Sequence, residues 1–357
     1  MGKAERGAAQ AAGIEPEVVE LEQVGLAPEW LRLAERLEGS SYFQTPDWVL
    51  SWWETIAARP PTRVAAWRSP AGELDALVAL SRAGERLHRR LPIAVPVYAN
   101  SGSGPGDADH CAWLVAPERR EDVARWLSET IGGSALLVRN AAANWPAESL
   151  PAGGRPVALT ACPRVTLPTA PATGEPSKDF VRQLRRFTRR LERRGVQIEW
   201  VGPPGVDDRL LDSLFALKPE FFHDDRRAFH LELSRRAEPG RGPAAVVARR
   251  GEQIVGVLYG FWWRDSFAAY QHAWSREYAR DALGNVLVLH ALELAAEHGA
   301  GSFDFLRGTE PYKYRFGAHD EWDRTWLVPR GLGGALLAAV ARTRRTGHPA
   351  AAPPPAG

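Results

Sequence analysis

Apolar positions recur along the chain in two rhythms. In "DFVRQLRRFTRRLERRG" (179–195) Phe180, Leu184, Phe187 and Leu191 fall at spacings of four, three and four, which is one face of a helix. In "FAAYQHAWSREY" (267–278) Tyr270, His272 and Trp274 alternate with Ala269, Gln271 and Ala273, the period-two signature of a half-buried strand. The same test applied throughout predicts strands at 18–21, 63–67, 74–80 and 135–139, and helices at 28–37, 46–57 and 118–131. A Gly/Ser/Asp-rich loop occupies 100–109. From 146 to 176 the chain is rich in Pro, Gly and Thr, with one short strand candidate, "RVTLP", which suits a connection between units. Beyond it the pattern predicts helix 177–194, strand 196–201, a helix near 206–222, and strands 244–249, 253–263 and 266–274. Helix 284–298, strands 302–306 and 324–328, and helix 332–344 complete the series.

The order of helix, antiparallel strands, helix and strand in the second unit is echoed in the first. The expected fold class is therefore mixed α/β (α+β), with two tandem domains, each a mostly antiparallel sheet flanked by helices. At roughly 150 residues per domain, 357 residues fit about two domains. The expected boundaries are 18–162 and 163–345, between disordered tails at 1–17 and 346–357 that lack apolar periodicity.

Composition changes this picture little. Hydrophobic residues at 45%, charged residues at 25% and 14 Trp describe a globular chain with an aromatic core. No leader-like apolar stretch and no run near the ~20 residues of a membrane span occurs, so a cytoplasmic location is expected. The segment 332–345 reads as a docked core helix, with peripheral membrane association as its other reading. Cys111 and Cys162 stand far apart and no histidine has metal-ligand spacing, so no metal is predicted. Net charge of +2 selects no partner, and no DNA-binding motif is present.

Four stretches carry candidate chemistry. Seven arginines surround the apolar stripe of 179–195, among them Arg186 and Arg190, and read either as a phosphate-binding face or as a solvated face. Gly284 and Asn285 open a helix whose free N–H groups could meet an anion, although glycines also begin helices without ligands. His272 could act as a base near neutral pH, but a hydrogen-bonded core histidine is the commoner case. The fourth is "FDFLRGTEPYKYRFG" (303–317), where strand alternation sends Phe303 and Phe305 one way and Asp304 and Leu306 the other. A buried Asp304 needs a cationic partner, and Arg307, Lys313 and Arg315 are the nearest by sequence. Gly308 and Pro311 mark a turn, after which an extended Tyr312-Lys313-Tyr314 would separate the lysine from the phenols. The cluster serves either as ion pairs, Asp304–Lys313 or Glu310–Arg307, that hold the loop shut, or as a polar cleft edge for acyl transfer.

The stretch 303–317 resembles the signature of a bacterial GNAT-like family of acetyltransferases associated with cellulose and exopolysaccharide biosynthesis, relatives of the Fem peptidyltransferases. "FQTPDWVLSWWE" (43–54), the basic helix and "YARDALGNVLVLHALELAAEHG" are similar to further landmarks of that family. The resemblance implies two tandem GNAT-type domains, the first degenerate and the second bearing an acyl-donor cleft where two central strands splay. It implies acetyl-CoA or another acyl-CoA as donor, lying against Gly284, Asn285, Tyr270 and His272. In place of the superfamily's Arg/Gln-x-x-Gly-x-Gly/Ala pyrophosphate loop stands "RDALGN". Fem relatives use aminoacyl-tRNA instead, so tRNA is the partner of the competing reading, and a non-catalytic binding or scaffold protein is the third. On the leading reading the acceptor is an amine or hydroxyl of a small molecule, sugar or envelope precursor. Asp304 or Glu310 would be base or amine-orienting group, Lys313 an electrostatic stabiliser, and Tyr312 or Tyr314 a proton donor or pocket wall. Arg307, Tyr314, Arg186 and Arg190 would contact substrate or phosphate.

Overall fold

A computed structural model describes residues 14–23, 25–56, 59–86, 94–104, 108–167 and 176–346. Its strands are β1 (Glu17–Glu20), β2 (Thr62–Arg68), β3 (Leu74–Arg86), β4 (Ala94–Asn100), β5 (Leu114–Val115), β6 (Ala135–Ala141), β7 (Arg155–Thr166), β8 (Val196–Val201), β9 (Arg241–Arg250), β10 (Gln253–Trp263), β11 (Ser266–Trp274), β12 (Ser302–Asp304) and β13 (His319–Val328). The helices are α1 (Ala27–Arg36), α2 (Pro46–Thr55), α3 (Arg120–Ile131), α4 (Lys178–Arg193), α5 (Asp208–Leu217), α6 (Asp224–Arg235), α7 (Leu283–Glu297), α8 (Pro311–Arg315) and α9 (Gly331–Thr346). Apart from residues 14–17 and 346, the tails expected from sequence lie outside the described residues.

Local chemistry starts the helices where the pattern placed them. Thr45 caps α2 by accepting from Trp48 N, with Pro46 supplying a preset helical φ. Ser177 accepts from Phe180 N at α4, and Asp207 from Leu210 N at α5. The helix expected near 206–222 is shorter, α5 ending at Leu217 before Pro219, and α6 follows as a separate helix that the pattern did not predict.

All the strands join one sheet in the order β1-β2-β3-β4-β6-β13-β7-β12-β11-β10-β9-β8, with β5 beside β3. From either end the order is equivalent. Four antiparallel strands lead to a parallel joint, β4–β6 in one half and β11–β12 in the other, and then to β13 and β7. These last two exchange places: β13, from the end of the chain, lies against β6, while β7 lies against β12. The strand between 155 and 163 was not expected, because Pro156 and Pro163 break its pattern, yet β7 is central.

One apolar cluster unites the halves, bringing Tyr42, Phe43 and Trp48 against Phe229 and Phe261. Tyr42 stacks on Phe261 at 4.9 Å and Trp48 meets Phe229 edge-on at 4.8 Å. The opposite face of the second half packs α4 and α7 on β8–β12. Leu337 and Ala338 seat α9 on Val95, Val97, Leu137 and Leu327, whereas Leu332 and Leu336 are exposed. No helix among the described residues is long and apolar enough to cross a membrane.

Candidate active site

The parallel joint of the second half comes apart. β11 pairs with β12 only from Ser266–Ser302 to Ala268–Asp304. Leu306 then adopts a left-handed φ of 54°, rare for a branched residue, and Asp304 Oδ1 holds that turn by accepting from Leu306 N at 2.7 Å. The chain stays with β7, through Phe305 N to Pro163 O and Gly308 N to Ala161 O, but leaves β11. A register shift opposite Tyr259 and Gly260 bulges β11 at Tyr270. Gly260 is required there, since a Cβ would fall 2.1 Å from Ala268 O.

The parted strands leave a cavity of about 330 Å³, the size of a small-ligand site, lined among others by Asp109, Lys218, Gln271, His272, Glu310 and Tyr312. Tyr270, Arg307 and Lys313 also face it. It runs between the two layers of helices, from Val288 of α7 to Lys218 at the end of α5.

Each sequence-derived candidate now has a place. Asp304 is buried, and its partners are not the nearest cations by sequence. Arg164 donates to its Oδ2 at 2.9 Å and His110 Nε2 lies 3.0 Å from the same oxygen. His110 Nδ1 is in turn 2.6 Å from Asp323 Oδ1, and its backbone N–H donates to Asp323 Oδ2. Burial works against charge on Asp304, but His110, Arg164 and the Leu306 N–H outweigh it and hold the carboxyl well below its usual range. Burial likewise works against the imidazolium, yet Asp323 and Asp304 raise His110 well above 6.5. Asp304 is thus a locked carboxylate. His110, Cys162 and Asp323 bring potential metal ligands within 4.8 Å of one another, but the imidazolium already supplies the positive charge between the acids.

Tyr312-Lys313-Tyr314 is not extended but forms the short helix α8. Lys313 is buried, and its ammonium donates to the carbonyls of Leu306, Arg307 and Gly308 and pairs with Glu310 at 3.0 Å. It pins the turn that opens the cavity. Arg307 pairs with Asp109 at 2.6 Å rather than with Glu310, and also donates to Ala108 O. Tyr312 lies 5.6 Å from the His272 ring, and burial, followed by Glu310, pushes its phenol up to about 12. Burial, then Lys218 and Lys313, pushes His272 down to about 4, so its imidazole is neutral.

The remaining candidates stand apart from the cavity. Gly284 is buried in the first turn of α7, where a Cβ would lie 2.9 Å from the Trp274 ring, so close packing accounts for this glycine; Asn285 is half-buried beside it. Tyr314 donates to Asp320. On α4 Asp179 pairs with Arg182, and further partners arrive from other elements: Glu293 for Arg185, and buried Asp281 for Arg190 and Arg194. Arg186, Arg189 and Arg193 point outward without an acidic partner among the described residues.

Sequence reasoning passed over Asp109, His110, Arg164 and Lys218. The density of acids and a histidine in "GDADH" (106–110) was the available signal for the first two.

Comparison with known proteins bears on this geometry. Residues 178–314 match the family of acetyltransferase (GNAT) domains. No curated protein matches the chain. Among solved structures, FemX aligns with a TM-score of 0.59 at 11% identity, over 91% of this chain and 100% of that one. The C-terminal domain (DUF2156) of a putative lysylphosphatidylglycerol synthetase from Agrobacterium fabrum gives 0.57 at 14% identity, over 89% and 96%. A conserved protein of unknown function from Bacteroides thetaiotaomicron VPI-5482 gives 0.54 at 11% identity, over 87% and 99%. At these identities the likeness is one of fold.

Proposed function

We propose, on the premise that this chain is a GNAT-like protein of Fem-related fold, that it transfers an acyl group directly to an amine or hydroxyl, with the donor in the gap between β11 and β12. The opened parallel joint, with its polar cavity of about 330 Å³, is the observation that carries this reading. Beyond Ala268, β11 pairs with β10 alone, so one of its backbone edges faces the gap. Backbone N–H groups on such an edge polarise a thioester or ester carbonyl and stabilise the oxyanion that forms when the acceptor attacks. A narrow cleft also holds donor and acceptor in line and excludes water.

The chain's own groups divide the remaining work. Asp304 and Lys313 shape the turn that keeps the gap open. Asp109 takes the acceptor's proton: burial foremost raises its carboxyl above the usual value against the pull of Arg307 and His110, bringing it closer to a useful base. Glu310 orients the acceptor amine, and Tyr312 walls the cavity and donates a proton to the leaving group. The donor is an acyl-CoA, with acetyl-CoA the simplest, entering along α7. The competing donor, aminoacyl-tRNA, is favoured by one observation, the outward stripe of Arg186, Arg189 and Arg193.

A thermal-shift screen with acetyl-CoA, longer acyl-CoAs and total tRNA tests the proposal. An acyl-CoA at 100 times its Kd adds about 2.7 kcal/mol and raises Tm by several degrees. A shift with tRNA alone replaces the acyl-CoA reading by the aminoacyl one. No shift with any of them leaves the third reading, a GNAT-fold binding protein.

A further inference from the structure

The charges around the cavity do not cancel. Arg307 is matched by Asp109 at 2.6 Å and Lys313 by Glu310 at 3.0 Å. Lys218 also faces the cavity, but no carboxylate among the described residues lies within ion-pair distance of it. Exposed Glu220 is the acid whose field reaches it, and burial nonetheless lowers its pKa. Its ammonium donates to Gln271 Oε1 at 2.6 Å and sits 5.6 Å from the centre of the Phe221 ring. Because Gln271 accepts through its oxygen, its amide N–H₂ is left to donate. Two ammonium protons and an amide thus converge on one side of the cavity, next to a neutral imidazole.

A half-buried cation with spare donors and no counter-ion is stabilised by an anion brought to it. We propose that Lys218 and Gln271 form an anchoring site for a carboxylate or phosphate group, and that the acyl acceptor carries it. The second clause rests on the function proposed above. The donor's side of the gap is that of α7, whereas Lys218 ends α5 on the other side of the sheet, so the anion arrives with the second substrate. Acceptors would then be amino acids, acidic sugars or phosphorylated precursors rather than neutral amines.

His272 is a built-in reporter. Besides burial, the charges acting on it are Lys218 and Lys313, which lower its pKa, and Glu310, which raises it. An anion on Lys218 cancels part of that field, so the His272 pKa rises. The full chain is titrated by NMR with trifluoroacetate and methyl phosphate, both still anionic at the pH where His272 titrates, and with neutral trifluoroacetamide as probes. Each anion is expected to raise the His272 pKa by about half a unit or more, and trifluoroacetamide to leave it unchanged. The tighter of the two anions identifies the group as carboxylate or phosphate. Lys218→Met should start from a higher His272 pKa and lose the response, and Lys218→Arg should retain it, both with unchanged Tm. No response in the wild type at saturating anion, or an equal response in Lys218→Met, overturns the site.

Acetyl-CoA added to the trifluoroacetate complex tests the acceptor assignment. Simultaneous binding supports it, and displacement of trifluoroacetate transfers the anion to the donor and overturns it. Failure of acetyl-CoA to bind at all defeats the proposed function and the acceptor clause together, while the anion response still decides the site.

Discussion

At the joint between β4 and β6 the two strands part, and the gap is closed. At the equivalent joint between β11 and β12 they part and leave a cavity. In the first half the parallel pairing runs from Val97–Ala135 to Ala99–Leu137, after which Asn100 takes over as a surrogate strand. Its side-chain amide donates to the carbonyls of Arg139 and Cys111, and its oxygen accepts from Arg139 N. Cys111 sits in the gap, donating its N–H to Asn140 O and accepting from the Asn100 amide, and the Asn140 amide donates to Ala108 O. In the second half the chain turns away under Asp304 and Lys313, and about 330 Å³ stays open. The same strand arrangement provides the joint twice, and side chains decide which of the two stays open. The closed half still contributes, because its plug carries Asp109 to the cavity wall and His110 to Asp304.

The largest test breaks the connection between the halves. His110→Ala leaves Asp304 and Asp323 buried with one cation fewer, and a loss of about 3–5 kcal/mol in denaturant unfolding is expected. A loss below 1 kcal/mol would mean that the imidazolium does not join the two acids. Asn100→Leu reopens the plugged joint by stripping partners from buried backbone groups, at a cost of about 2–3 kcal/mol. Gly284→Ala pushes a methyl into Trp274 and should cost about 1–3 kcal/mol, while leaving any acyl-CoA affinity unchanged if packing alone explains this glycine. In the open joint, His272→Gln should change stability by less than about 0.5 kcal/mol and act on ligand binding alone if the cavity is the proposed site.

In pH the two histidines move in opposite directions. The folded pKa of His110 is raised, so its stabilisation is complete below 6.5 and is lost as pH rises through the folded value. That of Asp304 is depressed, so its contribution is complete above 3.8 and is lost as pH falls through the folded value. Unfolding measured against pH should therefore show a plateau between these limits with a decline on either side, and His110→Ala should flatten the alkaline decline. In NMR titrations His272 should change near pH 4, while His110 stays protonated through neutrality.

What could be read from the sequence follows from distance along the chain. The continuous apolar runs of β9 and β10, the alternation of β11 and the helical faces of α4 and α7 are local patterns, and each was placed within a few residues of its final bounds. Strand alternation also set Asp304 on the face opposite Phe303 and Phe305, and both faces are buried. Elements whose residues hide their period were missed: β4 and β7 carry prolines, and α6 has a weak apolar stripe. The partners of Asp304 were out of reach altogether, because His110 and Arg164 lie 194 and 140 residues away. Only the exchange of β7 and β13 between the halves brings them together. The sequence by itself determined the two-part α/β pattern, the turn after β12 and the residue types that line it, because these depend on neighbours within a few positions. The tertiary structure alone decided which joint opened, which cations were already matched and which, Lys218, was left facing the cavity with no counter-ion among the described residues, because charge balance in a buried site depends on groups that meet only when the sheet is complete.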